Sequence, residues 1–203
     1  MSAAWIVAIG TPFALFVWFS LGYSLKWDIE RPETAFKIVS FNIALWGAIS
    51  FVLIWKHFGL SVFSLKNPLI ELVEGILTAI AIGVLAVFFR FWKTETSRKV
   101  PLPEDSARIA IYYGIDSILE EVIWRAFVLR AFGMGIKGLL ISSIFFGLHH
   151  IGLSLKNFVF ATLSGVILGM AYILTGGSFW AVALGHVVYN LVISRWVRLK
   201  NGG

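Results

Sequence analysis

The chain has 203 residues, 59% of them hydrophobic and 14% charged, with a net charge of +6 and no cysteine. Soluble domains run nearer half apolar and a quarter charged, so this composition, with a mean hydropathy of +0.86, describes a polytopic membrane protein and excludes a soluble enzyme with one large core. Lack of cysteine excludes disulfides, thiolate metal ligands, a cysteine nucleophile and palmitoylation, and a basic excess set in short loops points to membrane orientation, with no nucleic-acid partner.

Taken in chain order, hydropathy predicts seven spans, each near the roughly 20 residues that cross a bilayer core. They are residues 5–25, 36–55, 69–92, 109–132, 138–150, 158–174 and 179–197, the fifth short enough to be tilted or partly re-entrant. The start, Met1-Ser2-Ala3-Ala4-Trp5, lacks the positive region of a cleavable signal peptide, so the first run is expected to be kept as a helix. Trp5, Trp27, Trp55, Trp92, Trp180 and Trp196 fall near span ends, as an interfacial belt does. Polar connectors follow at 26–37, 56–68 (with Asn67-Pro68 ahead of the third span) and 93–108, and Thr175-Gly176-Gly177-Ser178 reads as a tight turn.

Lys26, Arg31, Lys37, Lys93, Arg98, Lys99, Arg108, Lys156, Arg195, Arg198 and Lys200 fall on one side of this seven-span chain; Lys56, Lys66, Arg130 and Lys137 fall on the other. The bias predicts an N-terminus outside and a C-terminus in the cytoplasm.

The fourth span holds the most informative segment. Glu120 and Glu121 are adjacent, and a charged carboxylate at bilayer depth costs about 2.5–3.5 kcal/mol on the mildest scale. On an ideal helix of about 100° per residue, Tyr113, Asp116, Ser117, Glu120 and Glu121 share one polar stripe. Arg125 is the i,i+4 neighbour of Glu121 and can pair with it, which leaves Glu120 without a cation on its own helix. Such a carboxylate is a candidate general base.

Two further spans carry matching chemistry. The fifth ends Phe145-Phe146-Gly147-Leu148-His149-His150, with Phe146 and His150 at i,i+4 and Gly147 suited to close helix approach. The seventh carries His186 and Asn190, also i,i+4, both able to donate hydrogen bonds to an oxygen placed between them. Gly165 and Gly169 read as a packing groove, Asn42 as a helix–helix hydrogen bond, and Glu71 and Glu74 as acids tolerated at a helix start. Together a carboxylate pair, one or two histidines and a His/Asn pair suit hydrolysis: Glu120 with a fifth-span histidine takes a proton from water, His186 and Asn190 stabilise an oxyanion, and Glu121 with Arg125 balances charge.

At these residues the chain resembles the CAAX-protease and bacteriocin-processing family of intramembrane endopeptidases, often called CPBP or Abi. Glu120-Glu121-x-x-x-Arg125 matches its EExxxR motif, Phe146-x-x-x-His150 its second and His186-x-x-x-Asn190 its third, in the family's order. The likeness covers roughly residues 108–198. With the seven spans read from hydropathy, the expected fold is an all-α polytopic bundle of about seven transmembrane helices with a four-helix catalytic core. Residues 1–203 would then form a single integral membrane domain, with 1–106 as N-terminal helices and 107–198 as the core.

The resemblance further implies cleavage of a peptide bond in a membrane-anchored peptide or protein. Glu120 and His150 would activate water, His186 and Asn190 would form the oxyanion hole, and Phe146 and His149 would bind at the site. Type II CAAX prenyl proteases of the family remove the last three residues of prenylated proteins; other members process peptides or act in bacteriocin immunity. No cofactor is expected, although Glu120, His150 and His186 are a donor set that zinc accepts. The doubled histidine leaves His149 as the alternative to His150. Two readings from other classes compete: a proton- or ion-coupled transporter using the same groups as a relay, and a non-catalytic membrane scaffold or immunity protein.

Overall fold

A computed structural model describes residues 2–28, 32–89, 106–150 and 154–200, and seven helices with no strand account for its regular structure among them. The helices are α1 (Ser2–Ser24), α2 (Pro32–Phe58), α3 (Pro68–Phe88), α4, α5 (Ile136–His149), α6 (Leu155–Leu174) and α7 (Phe179–Lys200), with a short 3-10 turn at Leu60–Phe63 between α2 and α3. Helix α4 is composite. It is α-helical over Ser106–Glu121, π-helical over Val122–Leu129 and α-helical again over Arg130–Phe132.

The expected all-α class and its seven elements are therefore observed, with bounds that agree to about one turn. Among the described residues four helices are long and apolar enough to cross a membrane: α1, α2 (from Thr34), α3 and α6. Helix α5 and the Phe179–Ile193 part of α7 are apolar but shorter. The last three residues of the third expected span (90–92), with Trp92, lie outside the described residues, as do Arg31, Lys93, Arg98 and Lys99 of the basic connectors. The side chains of Arg108, Arg195, Trp196, Arg198 and Lys200 lie outside them as well.

Local signals explain where α3 starts. Pro68 takes the first helical position, where a missing N–H costs nothing. The Asn67 side chain accepts from the Ile70 N–H at 3.2 Å, and Glu71 Oε1 accepts from the backbone N–H groups of Lys66 at 2.8 Å and Asn67 at 3.4 Å. Glu71 is a reciprocal capping acid, which is why a carboxylate 3% exposed is tolerated there.

Packing relies on small residues, as expected where lipid supplies no hydrophobic drive between helices. On α5, a Cβ at Gly147 would run into the Thr162 hydroxyl and come within 3.0 Å of the Phe158 carbonyl on α6. Gly165 on α6 lies against Ser143 and Phe146, and Gly169 against Leu139 and Leu129, so the GxxxG spacing is a packing groove. Gly75 of α3 and Gly185 of α7 bring those backbones together, a Cβ on Gly185 falling 2.8 Å from the Gly75 carbonyl. The N-terminal helices join the same bundle: Asn42 on α2 donates to the Thr11 carbonyl of α1 at 3.1 Å, and Ser40 on α2 donates to Asp116 of α4 at 2.7 Å. The tight turn is present at Gly176 and Gly177, whose φ values of 67° and 83° favour glycine.

Candidate active site

Helix α4 supplies the acids. Glu121 and Arg125 are both fully buried and pair at 3.2 Å through Oε2 and Nε, one turn apart as the spacing suggests. The arginine NH2 also donates to the Gly165 carbonyl of α6 at 3.3 Å, and its guanidinium carbon lies 4.7 Å from the centroid of the Phe146 ring. The pair straddles the point where α4 turns π-helical, and all eight residues of the π stretch are buried. Such i→i+5 segments are rare and are often found at functional sites.

Helix α7 meets α4 at two places. His186 Nδ1 lies 2.8 Å from Glu121 Oε1, so Glu121 holds Arg125 with one oxygen and His186 with the other. One turn on, Asn190 Nδ2 donates to Ser117 Oγ at 2.8 Å, and Ser117 donates to the Tyr113 carbonyl at 2.6 Å. The order of these contacts makes the two helices antiparallel.

The C-terminal end of α5 supplies the third group. His150 Nδ1 lies 2.9 Å from the Phe146 carbonyl. A carbonyl only accepts, so the proton is on Nδ1 and the lone pair of Nε2 faces the site. That Nε2 is 3.7 Å from Glu120 Oε1, and His186 Nε2 is 3.7 Å from Glu120 Oε2. Glu120, with its side chain 8% exposed, thus lies between two imidazoles from different helices, one to each oxygen. The Phe146 ring packs against this pair, with centroids 4.7 Å from His150 and 6.0 Å from His186.

Of the two adjacent histidines, it is His150 whose Nε2 reaches Glu120. The buried His149 ring instead lies against Trp124 at 6.4 Å and the His150 ring at 5.4 Å, and neither of its nitrogens has a hydrogen-bond partner among the described residues. Within the polar stripe, Asp116 is taken up by Ser40 on α2. Among the described residues no group of three or more His, Cys, Asp or Glu side chains is placed to hold a metal ion. Glu120, His150 and His186 therefore do not form a ligand set for zinc.

Two contacts were not foreseen from the sequence: Glu121 with His186, and Ser117 with Asn190. A signal for them was available. Ser117 and Glu121 are i,i+4 on one helix, His186 and Asn190 are i,i+4 on another, and two such pairs match rung for rung when the helices run antiparallel.

The fold and the site define a helical integral membrane protein with a buried glutamate held between two histidines. The type II CAAX prenyl endopeptidase Rce1-like family model matches residues 103–192, a stretch that takes in α4, α5, α6 and most of α7. Over that segment, which is less than half of the chain, the protein is similar to the Rce1-like family of type II CAAX prenyl endopeptidases. No curated protein and no solved structure matches the chain.

Proposed function

We propose that the protein hydrolyses a peptide bond in a membrane-anchored substrate by glutamate-activated water. The observation that carries this reading is the position of Glu120, 3.7 Å from Nε2 of both His150 and His186. That distance is too long for a direct hydrogen bond and suits a small molecule shared between the groups.

In this mechanism water lies between Glu120 and His150. Glu120 takes one of its protons while His150 Nε2 accepts a hydrogen bond from the other and aims the oxygen lone pair. The new carbon–oxygen bond turns the scissile carbonyl into an oxyanion. Asn190 donates to it through an amide N–H, and His186 donates through Nε2 when the ring carries both protons. Its Nδ1–H stays on Glu121, which serves as counter-ion, and Arg125 balances Glu121 in turn. As the carbon–nitrogen bond breaks, the proton held on Glu120 passes to the leaving amine. The scheme draws on no cofactor.

The substrate class is a peptide tethered to the bilayer, with a prenylated C-terminal CAAX segment as the first candidate because of the family match. The excess of Lys and Arg on one side supports a cytoplasmic C-terminus, and with it an active site nearer the cytoplasmic face, since α5 ends at His149 on that side. The test is cleavage of a farnesylated reporter peptide by the protein in liposomes, followed by mass spectrometry of the products. Release of a C-terminal fragment by wild type and not by His150→Ala supports the reading; equal release by both overturns it.

A further inference from the structure

We infer that Ser117 is a positioning residue that sets which end of the Asn190 amide faces the substrate. This rests on the hydrolytic reading above and adds a residue that none of the three motifs contains.

Oxygen and nitrogen of an asparagine amide have nearly the same shape, so only the surrounding hydrogen bonds decide the orientation. Here the decision is made at Ser117. Its hydroxyl has one proton, given to the Tyr113 carbonyl at 2.6 Å, an acceptor that has no proton to return. The Ser117 oxygen can therefore only accept from Asn190, and it does so from Nδ2 at 2.8 Å. An amide turned the other way would bring two acceptors, Oδ1 and Oγ, together at a residue 1% exposed, with no donor between them.

The consequence lies on the nitrogen edge of the amide. Nδ2 has two N–H bonds; one is spent on Ser117 and the other is left to point at the substrate. Asn190 is partly buried, and in this arrangement its second N–H is the one that serves the substrate. Without Ser117 the amide is free to turn and to present Oδ1, whose lone pair repels an oxyanion. Ser117 also stands one turn before Glu121 on α4, as Asn190 stands one turn after His186 on α7. The helix that bears the base thus grips both oxyanion donors, His186 through Glu121 and Asn190 through Ser117.

The test uses the full chain in liposomes with the farnesylated reporter peptide. Ser117→Ala is expected to lower kcat about tenfold, less than the roughly hundredfold loss of one oxyanion donor, and to leave KM unchanged. Ser117→Thr, which keeps the hydroxyl and its bond to the carbonyl four residues back, is expected to restore most of the rate. In an Asn190→Ala background, Ser117→Ala is expected to cost nothing further. An equal loss in both backgrounds means a structural role and overturns the inference, and this comparison decides it even where Ser117→Thr fails to insert.

A second readout needs no activity. With nitrogen-15 in the asparagine side chains, the Asn190 amide protons are expected to exchange slowly in wild type and faster in Ser117→Ala. Unchanged exchange overturns the inference whatever the enzyme does. Slow exchange in a protein that cleaves no peptide leaves the hydrogen bond intact and removes the hydrolytic reading alone.

Discussion

Removing Arg125 tests the interior of the site. Its guanidinium lies 3.2 Å from Glu121 Oε2, and both side chains are fully buried. At an effective dielectric constant of about 20, two unit charges at that separation attract by about 5 kcal/mol. Loss of one partner from a buried pair typically costs about 3–5 kcal/mol, because the remaining charge is stranded. Arg125→Met is therefore expected to destabilise the protein by about 3–5 kcal/mol, read as a shift of the unfolding midpoint in mixed micelles. Glu121→Gln strands the arginine instead and is expected to cost a similar amount. Combining the two removes both charges, and the double variant is expected to be more stable than the sum of the single losses allows. Its activity is not expected to recover, since His186 has lost the carboxylate that holds Nδ1. A loss below about 1 kcal/mol in both single variants, the range of exposed pairs, would refute a buried ion pair. Wild-type cleavage by the stable double variant would refute the role given to Glu121.

Other expectations concern the groups around Glu120. His186→Ala is expected to abolish turnover without preventing insertion, and Asn190→Ala to lower kcat roughly a hundredfold, both read from rates of reporter cleavage. Gly147→Ala places a methyl group against Thr162 and 3.0 Å from the Phe158 carbonyl. It should cost about 1–3 kcal/mol as overpacking does, and lower cleavage by displacing the end of α5 that carries His150; unchanged melting and rate would contradict the close approach. Exhaustive chelation is expected to leave cleavage intact, and a loss reversed by added zinc would replace glutamate-activated water with a metal mechanism.

Much of the arrangement was legible in the chain because it rests on short-range spacing. Glu121 and Arg125 pair as i,i+4 geometry allows, and the i,i+4 spacing from Phe146 matches His150 as the second-motif histidine. Asn42 and the glycines at 147, 165 and 169 announced helix contacts, since a buried amide and a missing Cβ have few other uses in a bilayer. The change of α4 to a π-helix after Glu121 could not be read, because its residues are uniformly apolar apart from Arg125 and show no break in pattern. An ideal α-helix also put Asp116 in one stripe with Glu120, whereas its tertiary partner is Ser40 on α2. Glu71 passed for an acid near a helix dipole. Its capping bonds to Lys66 and Asn67 depend on the backbone path before α3.

The most direct measurement is cleavage of the farnesylated reporter by Glu120→Gln beside wild type, with both proteins verified as inserted and folded. Glutamine keeps the volume and hydrogen bonding of the side chain but has no carboxylate to take a proton. The account requires product from wild type and none above background from Glu120→Gln. Equal product from the two would contradict it.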